Sequence, residues 1–249
     1  MRVVLISQGI GSIFTVGLLL FFPGSGAVGP ALAWGSIAGL GGGGGVLLLY
    51  RGLAIGRMSV VAPITGVEAA VVPVLFGLLT GERPSLSALF GVALALVAVV
   101  LVSSAASSTE EGERRAGLLE ALGAGVAFGI FFIALDRAGS DTGVWPLIGA
   151  RISSIGLVAL VALVGRVKLR PPPGSMRPIA AAGLLDTMAN VFYLVAVRQG
   201  FLSLVAVLTS MYPAATVALA RVVLKERLTP IQLVGIALAL VAVILIGLG

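Results

Sequence analysis

The chain has 249 residues, 59% hydrophobic and 10% charged, whereas soluble domains carry roughly a quarter charged residues; a water-facing globular domain is excluded. Its net charge of +6 does not signal a nucleic-acid partner, because the basic residues are scattered in short segments between apolar runs, the pattern of a positive-inside bias. With no cysteine and no histidine, disulfides, thiolate chemistry, imidazole-built zinc sites and histidine proton relays have no residues to use.

Taken from the start, Val3 to Tyr50 contains no charged residue, which is enough for two bilayer crossings at about 20 residues each. The first apolar stretch runs on without a small-residue cleavage site, so it does not read as a signal peptide. Apolar runs and the turn signals between them predict helices at 2–22, 33–50, 59–80, 85–103, 116–136, 145–165, 177–197, 202–222 and 229–248. The separators are Pro23 to Gly26, Arg51 to Arg57, Gly81 to Pro84, a polar run from Ser103 to Arg115, Asp136 to Gly143, Arg166 to Pro178, Gln199-Gly200 and Lys225 to Arg227. Gly41 to Gly45 is a five-glycine run inside a predicted helix. In lipid the backbone must satisfy its own hydrogen bonds, so the run serves close helix contact or a flexible point beside a cavity.

The sequence repeats at an offset of 144 residues. Gly91 to Leu101 lies on Gly235 to Leu245 with 9 of 11 positions identical, and the same offset pairs Ser59 with Ser203, Thr65 with Thr209, Glu82 with Glu226, Arg83 with Arg227 and Ser85 with Thr229. Ser85 and Thr229 suit N-cap positions, with Pro230 at the first helical position. Because five helices separate equivalent points, the two copies are expected to cross the bilayer in opposite directions, as in many secondary transporters whose substrate site lies near the midplane. The expected class is therefore an all-α polytopic membrane protein of nine transmembrane helices in two inverted-topology repeats. The first repeat (1–103) has four helices, 104–115 is a polar linker, and the second repeat (116–249) has five. The helix at 116–136 has no mate in the first copy, whose equivalent would fall roughly 28 residues before Met1. The expectation is a functional protein that begins upstream with ten helices; a nine-helix chain would instead close the open wall as a homodimer.

Tyr212-Pro213, Lys225 to Thr229 and the Gly235 to Leu245 helix resemble the end of an EamA domain, and Gly81-Glu82-Arg83 with Gly91 to Leu101 resembles the end of a second copy. The resemblance covers nearly the whole chain and points to the drug/metabolite transporter superfamily, whose members have two five-helix repeats. Lys225 stands where that family usually has glycine. The resemblance implies transport of a small metabolite, often export, and places the helices carrying Glu68 and Asp186 around a central cavity.

An ionisable group at the bilayer centre costs about 2.5–3.5 kcal/mol on insertion scales, so each one asks for a reason. Glu68 and Asp186 lie near mid-helix, and Asn190 and Tyr193 follow Asp186 at +4 and +7 on one helix face. The repeat lays Glu68 on Tyr212, with Ser210 beside it and Pro213 expected to kink that helix. These six residues (Glu68, Asp186, Asn190, Tyr193, Ser210 and Tyr212) are the candidates for binding solute or protons, the alternative being interhelical hydrogen bonds and a kink that serve packing. Asp186, with no lysine or arginine in the middle of its own segment, is expected to exchange a proton for the solute. Arg151, about two turns into its helix, is expected to snorkel to the interface or pair with Asp136 or Asp141. Trp145 reads as an interfacial anchor, and Glu110, Glu111 and Glu113 as a solvated loop.

The leading function is a secondary transporter of small metabolites working in the cell membrane, with no cofactor. The chain has no GxxxxGK[ST] phosphate loop. A membrane-embedded enzyme would need paired carboxylates for a metal or a nucleophile with a base, and no aspartate pair at ligand spacing occurs. A non-transporting or inactive membrane protein is the remaining alternative. On orientation, 12 basic residues fall on one face of the nine-helix topology and 3 on the other, which places the 12-charge face in the cytoplasm.

Overall fold

A computed structural model describes residues 2–56, 58–103, 117–166, 174–219 and 229–248. The expected linker 104–115 and the segment Lys225 to Arg227 lie outside the described residues. All regular structure among the described residues is helical: α1 (Arg2–Leu18), α2 (Val28–Ile55), α3 (Met58–Leu79), α4 (Leu86–Ser103), α5 (Leu118–Arg137), α6 (Trp145–Val164), α7 (Met176–Val197), α8 (Leu202–Ser210), α9 (Tyr212–Leu219) and α10 (Pro230–Gly247). Six of these are long and apolar enough to cross a membrane, and the apolar stretches Val3–Leu18, Leu86–Val102 and Leu202–Ala215 are shorter. The chain is a multi-pass integral membrane protein.

The predicted helix at 202–222 is two segments, α8 and α9, broken at Met211. Pro213 has no N–H to give the Thr209 carbonyl and its ring crowds that oxygen. The chain tightens through Met211 N–H to Leu208 O (3.3 Å) and Ala214 N–H to Met211 O (2.9 Å). The N-cap expectations hold as geometry. Ala88 N–H donates to Ser85 Oγ at 3.1 Å. Thr229 and Gln232 form a reciprocal capping box, Gln232 N–H to Thr229 Oγ1 at 3.3 Å and Thr229 N–H to Gln232 Oε1 at 3.0 Å.

The described helices form two compact units. The first comprises residues 1–47 and 130–199, the second 48–129 and 200–249. In the first unit α1 crosses α7 and α2 crosses α6 at glycines. A Cβ on Gly183 would run into the Ser7 backbone, one on Gly35 into the Pro146 backbone and one on Gly39 into the Ala150 carbonyl. Within the glycine run, Gly43 faces Ser154 and Gly42 faces the Phe131 ring, so these members of the run serve close contact. Ser153 Oγ donates to Ser36 O at 2.8 Å, tying α6 to α2. Trp145 Nε1 donates to Pro23 O at 3.0 Å. Just past α7, Arg198 donates from Nη2 to Gly143 O (2.7 Å) and Thr142 Oγ1 (2.9 Å). Burial pushes its guanidinium below the ordinary arginine range, and Asp141 acts in the opposite direction.

In the second unit α4 and α10, the best-matched helices of the duplication, pack antiparallel. Gly91 lies against Ala242 and Ile246, and Gly235 against Ala98 and Val102. Each of these positions has its 144-residue mate in the other contact. Such a self-complementary contact is what a local two-fold axis produces, and it bears out the inverted repeat.

Candidate functional site

The ionisable residues inside the spans divide between the units. In the first, Arg151 stands six residues into α6 and Asp186 at the middle of α7. Arg151 Nη2 donates to Asp186 Oδ2 at 2.6 Å and to Thr187 Oγ1 at 3.0 Å. Thr187 Oγ1 donates in turn to Gly183 O at 2.8 Å, so its lone pair is aimed at the guanidinium. The space for this arrangement comes from α1: a Cβ on Gly11 would lie 2.5 Å from Thr187 Oγ1 and 3.4 Å from Arg151 Nη2. The expectation for Arg151 is thereby corrected. Its partner is Asp186, not Asp136 or Asp141, and Asp136 meets its own neighbour Arg137 at 3.8 Å. The premise that Asp186 lacks a cation falls with it. The segment of α7 carries none, but the neighbouring helix does.

The pair is unequally covered. The Arg151 side chain is 11% exposed and that of Asp186 56%. The repeat makes the pair more informative. At the same offset, Arg151 corresponds to Ser7, Asp186 to Gly42 and Thr187 to Gly43. The equivalent positions, Ser7 on α1 and Gly42 and Gly43 on α2, carry no charge.

Asn190, one turn below Asp186, donates from Nδ2 to the Asp186 backbone carbonyl at 2.8 Å and is half-buried. Tyr193 is 4% exposed. Its hydroxyl donates to Phe132 O at 3.0 Å and its ring lies 4.8 Å from that of Phe132. The structure therefore brings Asp186 and Asn190 together and turns Tyr193 to α5.

In the second unit Glu68 is half-buried on α3, and among the described residues it has no hydrogen-bond or ion-pair partner. Close approach of α5 at Gly125 sets its backbone: a Cβ there would overlap that of Glu68, and Thr65 Oγ1 donates to Ala121 O at 3.2 Å one turn away. Ser210 ends α8 with its hydroxyl buried and, among the described residues, without a hydrogen-bond partner. Tyr212, 39% exposed, lines an apolar cavity of about 410 Å³ with Met211, Ile236 and Val243. The start of α8 is held by Glu82, whose Oε1 accepts from Leu202 N–H (2.6 Å) and Oε2 from Ser203 N–H (3.0 Å).

Arg151, Thr187, Gly11 and Glu82 make contacts that reading the sequence did not assemble. A signal for the first was present: Arg151 lies within a span rather than at its end, and charges in spans pair with one another. Among the described residues no cluster of acidic side chains has the make-up to hold a metal ion.

A family model described as the EamA-like transporter family matches residues 115–248. No curated protein matches the sequence. Of solved structures, 23 chains match. One of them, described only as the crystal structure of a protein, superposes with a TM-score of 0.79 at 19% identity, over 99% of this chain and 86% of that one. That likeness carries the fold.

Proposed function

The chain belongs to the EamA-like transporter family, membrane transporters of the drug/metabolite transporter superfamily, and on that premise we propose that it is a secondary transporter of a small charged solute in the cell membrane, with the Arg151–Asp186 pair as the ionic part of its solute site. The observation that carries this reading is the pair's unequal exposure, 11% against 56%. A carboxylate half uncovered at mid-span is costly against hydrocarbon, so it belongs beside a water-filled cavity. One partner is anchored in protein and the other meets the water path. The repeat mates of the two residues, Ser7 and Gly42, are uncharged, which supports a role for the pair beyond the duplicated packing pattern.

Chemically, a charged solute competes with one partner for the other. A solute anion that takes over Arg151 releases Asp186 to accept a proton, and a proton on Asp186 frees Arg151 for the anion. Asn190 supplies a neutral hydrogen bond beside them. Glu68, Ser210 and Tyr212, in the second unit, stand as further candidates for binding solute or protons. Export is the direction we assign, on the family resemblance.

Proteoliposomes loaded with a pH-sensitive dye and challenged with a panel of small metabolites test this. Solute-dependent proton flux is expected in the wild type and lost in Asp186→Asn and in Arg151→Gln. Flux unchanged in both variants removes the pair from the mechanism. Wild-type vesicles no more permeable than empty ones across the panel overturn the transport reading itself.

A further inference from the structure

Within the first unit a cavity of about 460 Å³ opens between α1 and α6. Its walls are apolar, with Val16 on one side and Ile152 and Ile155 on the other. The hydroxyls of Ser12 and Thr15, which also line it, are spent on the Gln8 and Gly11 carbonyls of their own helix. Among the described residues that line the cavity, Arg151 alone is charged. Only its Nη2 is engaged, by Asp186 and Thr187; Nε and Nη1 donate to no described residue. Guanidinium donors beside an open apolar cavity are matched by a compact anion on an apolar body. The oxygens take the free edge of the fork, and the body displaces water from the isoleucines.

We infer that the cavity between α1 and α6 binds an amphiphilic organic anion, its carboxylate or phosphate on Arg151 and its apolar body along Val16, Ile152 and Ile155. The inference rests on the reading above in using the same arginine, and it names the solute class that arginine recognises. Two sources share this chemistry, a free aliphatic carboxylate from water and an anionic lipid from the bilayer.

The test is equilibrium binding of radiolabelled octanoate to the full chain in phosphatidylcholine nanodiscs, corrected for binding to empty discs. Saturable binding is expected, tightening about fourfold per methylene from butanoate to octanoate. Octan-1-ol and octylammonium should compete at least tenfold more weakly. Arg151→Gln should abolish binding, but it also unpairs Asp186. Gly156→Phe is the cleaner variant: a Cβ on Gly156 meets nothing within 4 Å, so its ring enters the cavity without touching the ion pair. It should weaken octanoate at least tenfold. Replacing part of the phosphatidylcholine by phosphatidylglycerol separates the sources. Displacement of octanoate identifies a lipid occupant and no displacement a soluble one, and both support the site. Equal competition by the alcohol and the amine, or wild-type affinity in Gly156→Phe, overturns it. Because binding is read without a gradient, binding without flux sinks only the transport reading, and flux without binding sinks only this one.

Discussion

Gly91 and Gly235 make the same contact from opposite sides of one interface. A Cβ on Gly91 would lie 2.8 Å from Ile246 Cγ1, and one on Gly235 2.7 Å from Val102 Cγ2. Ile246 is the repeat mate of Val102, so the antiparallel pair α4–α10 is built twice from one pattern. Small residues allow this approach where no hydrophobic driving force operates between helices in lipid. Gly91→Val and Gly235→Val should therefore cost similar amounts, about 1–3 kcal/mol each, as overpacking does elsewhere. Thermal unfolding in detergent measures both. A large loss in one with none in the other would show that the two contacts are not equivalent.

The Arg151–Asp186 pair predicts an asymmetry between its two deletions. Removing the carboxylate leaves a guanidinium that is 11% exposed, whereas removing the guanidinium leaves a carboxylate that is 56% exposed. An uncompensated buried charge is the costlier orphan, and a largely exposed one costs little. Asp186→Asn should thus lower the unfolding temperature more than Arg151→Gln. The double replacement should recover part of the loss, because it leaves no charge behind. Equal losses, or a double variant as unstable as the sum of the singles, would count against a buried arginine.

Glu82 reaches from the turn after α3 to the first amides of α8, 120 residues on. A carboxylate on a helix N-terminus satisfies orphan N–H groups and opposes the positive end of the dipole. Glu82→Ala should cost about 0.5–2 kcal/mol, the range of a lost cap, and Glu82→Gln, which keeps one acceptor, less. Hydrogen exchange at the amides of Leu202 and Ser203 reads the loss directly. Protection as in the wild type would mean that the cap contributes nothing.

These elements differ in how legible they were. The duplication was visible because identities such as Glu82 with Glu226 survive at one offset, and a kink at Pro213 because proline removes a donor; that the helix breaks at Met211, while Pro63 and Pro73 stay inside a continuous α3, was not. The N-caps followed from local chemistry at Ser85 and Thr229. The partner of Arg151 was not visible. Arg151 and Asp186 lie on different helices, and a span with lipid around much of it has no polar stripe from which to read its facing. Nearest carboxylates in sequence, Asp136 and Asp141, were therefore the natural partners to name. What decides the pairing is Gly11, whose missing side chain gives Thr187 and the guanidinium room beside α1, and nothing at Gly11 itself announces that. Tyr193 shares a face with Asp186 by count, yet its ring goes to Phe132, because an aromatic surface gains more against a second aromatic than beside a carboxylate.

Orientation follows from charge placed outside the spans. Arg151 does not enter the count, since it is held inside by Asp186. Of the other basic residues, Arg2, Arg51, Arg57, Arg114, Arg115, Arg166, Lys168, Arg170, Arg177, Arg221, Lys225 and Arg227 fall on one face of a nine-crossing topology, and Arg83, Arg137 and Arg198 on the other. Lys and Arg are retained on the cytoplasmic side during insertion, and the bias operates through short loops of this kind. Arg198 weakens the minority further, because it is tied to Thr142 and Gly143 rather than free in solvent. The twelve-charge face is therefore expected in the cytoplasm and Gly249 outside it. A C-terminal reporter active only in the cytoplasm should stay silent, and one active only outside should signal. The reverse pattern would overturn the assignment. Moving the bias tests the cause as well as the outcome: replacing Arg166, Lys168 and Arg170 by glutamine while adding lysines beside Arg83 and Arg137 should yield a mixed population by the same two reporters. A population that stays uniform would show that something other than loop charge fixes the orientation.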